Sequence, residues 1–468
     1  MLLKIGVKNY KSFREYSEMD FTFKGAIRDS LDIKVLEGNY FTGNKVLKLA
    51  TLCGKNASGK TNFFTVLEHL TLVFDESVKK DIWDFSPFLY DKNKENSSIF
   101  ISFISKKTYY EYFCEVNVYS RKILSENLKY KKNNGKQQVL FEIKDGKLNS
   151  FSKKYIKENS EFLKKLIEKR EESKSFISLV QEYKLEKLDI IQNFTHFFKH
   201  TLEIHTIIEK RIYSSTLTGI IFLKLKMKEC LDELKKENKN IDFENYGQNE
   251  LLLYYKEKKK KKTEIFFILE LLSLIESFIK SLDLGVKKIA LKKESDICYP
   301  YFPVDSDKEN SITELNNYSI VTFHKNNIKL NICDESSGNK KLIELATSII
   351  FSLIKNKVLI IDEFSNYFHQ RILERILMLF RRYNKNSQFI FSSHNPNILD
   401  LDLKKEQIFI SDKNSEEETK ISSLKETSFN KKLSFAKLYL NGLLGSEIND
   451  DLIDFEFSLE DFLDEEED

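Results

Sequence analysis

Hydrophobic and polar positions change rhythm along this chain of 468 residues. In residues 1–150 the apolar positions come at strand spacing. Residues 99–105 and 109–119 alternate as antiparallel strands do, with charged turns between them. The apolar run 46–53 (VLKLATLC) reads as a further strand, and Asn62-Phe63-Phe64-Thr65-Val66-Leu67 opens a helix soon after it. From about 152 to 282 Lys, Glu, Leu and Ile recur at helical spacing, as in Phe162-Leu163-Lys164-Lys165-Leu166-Ile167-Glu168 and Leu223-Lys224-Leu225-Lys226-Met227-Lys228, with no proline inside. Residues 283–447 return to strands and helices. The pattern predicts an α/β protein, a mixed β-sheet with helices, interrupted by a mainly helical insertion.

Between the apolar run and its helix stands Gly54-Lys55-Asn56-Ala57-Ser58-Gly59-Lys60-Thr61. This fits the G-x-x-x-x-G-K-[ST] phosphate-binding loop without deviation, in the strand–loop–helix context that the chemistry requires. Glycines let the backbone curl so that its N–H groups face phosphate oxygens, and the helix N-terminus adds its positive dipole. Lys60 is placed to reach the β and γ phosphates and Thr61 to hold Mg²⁺ through its hydroxyl; Asn62 continues the loop into the helix. The loop implies a nucleoside triphosphate.

Three further pieces follow late in the chain. Residues 357–363 (KVLIIDE) read as an apolar strand ending in two adjacent carboxylates. An aspartate there, Asp362, is suited to Mg²⁺, and Glu363 to polarising a water. Ser336-Ser337-Gly338 precede an amphipathic helix over 340–354; such a turn offers an anion site, though by itself it is more often an N-cap. Residues 388–394 (QFIFSSH) read as a strand delivering His394 to its carboxyl end.

In this order the pieces resemble an ABC-class ATPase: Walker A at 54–61, a signature at 335–339, Walker B at 358–362 and a switch histidine at His394. The signature reads Glu-Ser-Ser-Gly-Asn where the transporter consensus is Leu-Ser-Gly-Gly-Gln, so one glycine and the glutamine are missing. The opening residues 2–13 (LLKIGVKNYKSF) look like the first strand of the OLD, RecF and SMC branch. Residues 435–445 (FAKLYLNGLLG) resemble the close of ATPases from abortive-infection and related anti-phage operons. The resemblance covers about residues 1–130 and 280–447. It implies an ABC-type P-loop head in two parts, 1–150 and 283–447, a helical lobe over 151–282 and an acidic tail over 448–468. It also implies ATP with Mg²⁺ as ligands, the metal held by Thr61 and Asp362. Glu363 is then the catalytic base, His394 the γ-phosphate sensor, and Lys60 the phosphate-binding lysine. Ser336 and Gly338 complete the site of a second subunit, making a homodimer through an ATP sandwich, with higher homo-oligomers also compatible. Residues 365–369 occupy the place of a D-loop, and Gln137 and Gln138 are the weak candidates for a Q-loop glutamine.

The resemblance further suggests the ATPase and sensor subunit of a two-component anti-phage system of the PARIS or abortive-infection type, controlling a separate effector such as a Toprim-like nuclease. Only about 70 residues follow His394, too few for a fused domain of that kind. The alternative is a RecF-like repair or recombination ATPase that clamps nucleic acid. A transporter subunit fits less well, because its opening strand and insertion differ.

Composition narrows this little. A charged fraction of 31% and a hydrophobic fraction of 41% are those of an ordinary soluble protein. The five cysteines are scattered without a C-x-x-C pair, so neither a zinc site nor a disulfide frame is expected, in keeping with a cytoplasmic protein. Met1-Leu2-Leu3-Lys4 leads into a strand and not a signal peptide. The most apolar run, 263–279, carries Glu264, Glu270 and Glu276, so a packed helix is expected there, with no membrane span. Two charge features stand out: the lysine run over 256–262, and eleven acids over 450–468, with Phe455, Phe457 and Phe462 among them. A solvated turn and a solubilising end are the plain readings; contact with nucleic acid or an acidic partner, and a docking peptide, are the functional ones.

Overall fold

The structure, a computed structural model, describes residues 1–23, 25, 31–41, 43–74, 86–88, 95–152, 172–182, 189–205, 264–282, 285–293, 318–366, 368–427 and 434–444. The chain opens with β1 (Leu2–Lys8) and β2 (Ser17–Asp20), then β3 (Thr22–Phe23), β4 (Ile33–Val35), β5 (Lys45–Leu47), β6 (Leu49–Cys53) and α1 (Lys60–Val73). A meander follows: β7 (Asn96–Ser105), β8 (Thr108–Asn117), β9 (Lys122–Lys132), β10 (Gln138–Lys144) and β11 (Lys147–Phe151). Next come α2 (Phe176–Glu182), α3 (Asp189–His196), a π-helical turn (Phe197–Thr201) and β12 (Leu202–His205). After α4 (Glu264–Ser281) stand β13 (Lys288–Lys293), β14 (Tyr318–Phe323) and β15 (Lys329–Asn331). The remainder is α5 (Ser337–Lys355), β16 (Val358–Ile361), α6 (Gln370–Tyr383), β17 (Gln388–Ser393), β18 (Ile408–Lys413), β19 (Thr419–Ser423) and α7 (Phe435–Leu440).

Two sheets organise the head. One is antiparallel, in the order β11-β10-β9-β8-β7-β1-β2. Its strand β8 alternates buried and half-buried positions throughout, as a sheet with one covered face requires. The other has the order β12-β16-β17-β6-β18-β19 and is parallel except for β19. Its central strands β6, β16 and β17 are buried at every position. Such strands need cover on both faces, and period-2 geometry divides their side chains between two cores. Ala50, Leu52, Val358, Ile360 and Ile390 join α1 and the antiparallel sheet in the first core. Leu49, Cys53, Leu359, Ile361, Phe389 and Phe391 join α4, α5 and α6 in the second. This is a mixed α/β arrangement of sheets and flanking helices, as the apolar pattern predicts.

Three expectations change on this frame. The apolar run 46–53 is two strands in two sheets, β5 and β6. The break falls at Lys48, whose N–H goes to Asp32 O (2.7 Å) while its carbonyl accepts Phe389 N–H (2.8 Å). The boundary expected at 151 is not a structural one. Phe176, Ile177, Ile190, Phe194 and Phe197 lie in the first core, and β12 pairs with β16 as the edge of the parallel sheet. Part of the expected helical lobe therefore belongs to the head. Gln137 and Gln138, the Q-loop candidates, bond to Glu111 and Tyr130 within the antiparallel sheet. The rest of the expected insertion, including the patterns at 162–168 and 223–228, the lysine run 256–262 and the acidic tail, lies outside the described residues. From Glu264 onward the apolar run falls in α4, packed by Leu271, Ile275 and Phe278, and among the described residues no helix is long and apolar enough to cross a membrane.

Polar clamps hold the sheets together. Gln388 is 1% exposed on β17. Its Oε1 accepts the N–H of Leu2 (2.8 Å), and its Nε2 donates to the carbonyls of Leu2 and Leu47 (3.0 Å each). One amide thus joins the parallel sheet to β1 and β5. Gln388→Leu preserves volume but strands three buried backbone groups, at a cost of roughly 3 kcal/mol. Scanning calorimetry is expected to show a thermal midpoint several degrees below wild type; an unchanged midpoint would remove this clamp from the account.

Candidate functional site

All three central parallel strands end at one edge, and each contributes there. From β6 the chain turns through Gly54 into the phosphate loop, which closes on Lys60 at the start of α1. Asn56 and Ala57 form its exposed tip. Gly59 has φ +91°, a conformation that favours glycine, and a Cβ there would stand 2.6 Å from Thr419 Oγ1 and 2.7 Å from Ser12 Oγ. At Gly54 a Cβ would meet Ser411 O at 2.4 Å. The loop is therefore cradled by the β18–β19 pair and the N-terminal turn, and Ser411 Oγ donates to the carbonyl of Ser58 (2.6 Å). Ser58 itself is fully buried, and its hydroxyl has no hydrogen-bond partner among the described residues. Asn62 faces the N-terminal turn, donating to Ser12 Oγ (3.1 Å). Lys60 is 3% exposed; its ammonium donates to the carbonyls of Gly54 and Lys55 (2.8 Å each) and stands 3.6 Å from Glu363 Oε1.

Asp362 and Glu363 leave the end of β16. The hydroxyl of Thr61 donates to Asp362 Oδ2 (2.5 Å), and Ser392 on β17 donates to Oδ1. Burial pushes the Asp362 carboxyl above its ordinary range, with the Ser392 and Thr61 hydroxyls opposing the shift. Glu363 adopts φ +52°, strained for a residue with a side chain. Its N–H is held by Ser392 Oγ (2.8 Å) and the next N–H, of Phe364, by Ser392 O (3.0 Å). The strain aims the Glu363 carboxylate between two groups, Lys60 and His394 Nδ1 (2.7 Å). His394 is 40% exposed, so this corner of the site opens to solvent.

The structure thus brings together Lys60, Thr61, Asp362, Glu363 and His394, drawn from the start of α1 and the ends of β16 and β17. It does not bring Ser336 and Gly338 into that cluster. Ser336 is the exposed N-cap of α5, its hydroxyl accepting Asn339 N–H (3.2 Å), and Gly338 lies in the first helical turn. In the place of a D-loop, Ser365 Oγ bonds Ser393 Oγ (2.7 Å) and His369 caps α6; Tyr367 lies outside the described residues. Sequence reasoning missed Ser392, which touches both carboxylate-bearing residues. Two serines closing an otherwise apolar strand, QFIFSSH, were the available signal.

The donor set fits a triphosphate with its cation. A lysine and a hydroxyl stand beside a glycine-shaped loop, facing a carboxylate pair. No group of three or more His, Cys, Asp or Glu forms a metal cluster among the described residues. Cys53 adjoins the loop but is buried, with its thiol pushed up to about 12, and is unreactive in that state.

A family profile described as "AAA domain, putative AbiEii toxin, Type IV TA system" matches residues 49–400. A search of curated proteins finds no match. Among solved structures, an SMC head bound to the C-winged helix domain of ScpA is similar at 14% identity and TM-score 0.42, covering 90% of this chain and 97% of its own. The SMC head domain from Thermotoga maritima gives 13% identity and TM-score 0.38, covering 90% and 98%. An SMC head with an extended coiled coil, bound to the C-terminal domain of ScpA derived from Pyrococcus furiosus, gives 15% and 0.38, covering 91% and 97%.

Ser392→Ala removes a hydrogen bond to a charged group, worth about 1.5–3 kcal/mol. It is expected to lower kcat for ATP hydrolysis roughly 10- to 100-fold, while nucleotide affinity stays within about threefold. Steady-state kinetics beside equilibrium binding of a fluorescent ATP analogue checks both numbers.

Proposed function

The chain belongs to this AAA-domain family and is an ATP-binding, ATP-hydrolysing P-loop ATPase, and on that footing we propose that it works as an ATP-gated head that closes on a second copy of itself. One observation carries this reading. The catalytic cluster is assembled within one chain, whereas Ser336 and Gly338 sit on a separate exposed turn at the start of α5. A second copy presenting that turn would cover the γ-phosphate held by the first.

In this reading the loop N–H groups and Lys60 bind the β and γ phosphates. Thr61 and Asp362 would hold Mg²⁺, which when bound offsets charge on the phosphate oxygens. Ser392 fixes the Asp362 carboxylate and, through the backbone, sets the direction of Glu363. Glu363 accepts the proton of the attacking water, and His394 on its far side orients that carboxylate and senses the γ-phosphate. Catalysis of this type is mainly positioning and charge stabilisation.

Closure needs something to act on. The leading reading is a clamp on nucleic acid, as in RecF-like and SMC-like ATPases, because it requires this chain alone. The second is a sensor or scaffold of an anti-phage system holding a separate nuclease or toxin. The family description, with its toxin and toxin–antitoxin wording, favours that one. DNA-stimulated hydrolysis without a stoichiometric protein partner supports the clamp. A stable small partner co-purifying from the native gene neighbourhood, with no response to DNA, supports the scaffold.

Glu363→Gln is expected to bind ATP as wild type does, to lose at least 100-fold in turnover, and to accumulate as an ATP-bound dimer. Lys60→Ala is expected to lose nucleotide binding. Light scattering with a phosphate-release assay decides the matter; wild-type turnover in Glu363→Gln would falsify the assignment of the base.

A further inference from the structure

The signature turn departs from the ABC consensus at three of its five residues, yet it is more tightly held than a loop of its exposure requires. Glu335, the residue before the N-cap, has a side chain only 2% exposed. Its Oε1 accepts from the Thr322 hydroxyl and lies 2.5 Å from His324 Nε2; its Oε2 accepts from Asn339 Nδ2 (2.9 Å). Asn339 in turn donates its N–H to Ser336 Oγ. Thr322 is on β14 and His324 follows it, so the carboxylate ties the turn to the β13-β14-β15 sheet. We propose that Glu335 is a positioning residue: with Asn339, Thr322 and His324 it fixes the turn that offers Ser336 and Gly338 to a nucleotide held by a second copy of this chain. The inference rests on the head-to-head reading above.

The physical case is one of cost and alternative. A buried carboxylate is unfavourable unless its oxygens are hydrogen-bonded, and here both are. Burial alone would push the Glu335 carboxyl up, but the Thr322, Asn339 and His324 hydrogen bonds outweigh it and hold the group below its ordinary range. A fixed negative charge beside an arriving phosphate is a liability, and the apolar residue that the consensus carries at this place would avoid it. What the carboxylate supplies in exchange is shape. Ser337 stands where the consensus has a glycine, and Asn339 where it has a glutamine. Side-chain links, Glu335 to Asn339 and Ser336 to the Asn339 N–H, fix the turn in this chain.

The test uses the full chain in the Glu363→Gln background, where turnover does not blur binding. Affinity of the single subunit for a fluorescent ATP analogue is measured at low protein concentration, and the ATP-driven dimer constant by analytical ultracentrifugation. Glu335→Leu and Asn339→Ala are expected to leave nucleotide affinity within twofold and to weaken dimerisation tenfold or more. Glu335→Gln, which keeps the hydrogen-bonding shape once the Asn339 amide turns over, is expected to recover dimerisation to within about threefold of the parent. Should Glu335→Leu not fold, Asn339→Ala, which removes a single link, decides alone. Dimerisation within twofold of the parent in a folded Glu335→Leu or Asn339→Ala overturns the proposal. So does an equal loss of nucleotide affinity, which would mark a general structural role. A parent that stays monomeric with saturating ATP overturns the head-to-head reading itself, and this inference with it.

Discussion

The register of three buried parallel strands is the constraint on which the site depends. β17 lies between β6 and β16, pairing Ser393 with Cys53 on one side and Phe391 with Ile361 on the other. Each strand therefore runs out at the same edge, and the residues just beyond, Gly54, Asp362 and His394, become neighbours although Gly54 lies more than 300 residues from the other two along the chain. A slip of one residue would exchange the two cores, sending Phe389 and Phe391 toward the antiparallel sheet and Ile390 toward the helices. The apolar division that stabilises the fold is thus the same division that aligns the site. Gln388 at the opposite end of β17 anchors the strand from behind.

Once the edge is set, a single hydroxyl resolves the competition between two adjacent carboxylates. Asp362 and Glu363 repel each other, and burial disfavours charge on Asp362. Ser392 relieves both difficulties, donating to Asp362 and receiving the Glu363 N–H. The left-handed backbone at Glu363 then turns its side chain away from Asp362 and toward Lys60 and His394. Strain of about 1–2 kcal/mol at one residue is tolerated because the neighbouring N–H groups are pinned to β17. The two acids consequently face different partners, a hydroxyl pair for one and a lysine–histidine pair for the other.

Much of this was legible in the sequence, and what was not has identifiable causes. The phosphate loop and the strands bearing Asp362 and His394 carry local signals: glycines at fixed spacing and apolar runs closed by polar residues. Antiparallel β7 and β8 were visible through alternation. The split of 46–53 was not, because Lys48 interrupts an apolar run without a glycine or proline to mark it, and only the distant Asp32 and Phe389 define the break. Likewise β12 is four residues long, and its membership of the sheet is set by pairing with β16, far away in sequence. Helical texture on both sides of it hid a strand. The Glu335 contacts with Thr322 and His324 are equally non-local, so the sequence motif showed the serine and glycine but not what holds them.

The place of β12 also bears on how the parallel sheet ends. A sheet edge left open invites pairing with another chain; β12 covers the edge of β16 and is itself the outermost strand, supported by the Lys357–Glu203 ion pair at 2.9 Å. The chain returns as α4, which packs in the second core beside α5. β12 and α4 are therefore both tied to the element pair α5–β16, one through strand pairing and the other through side-chain packing.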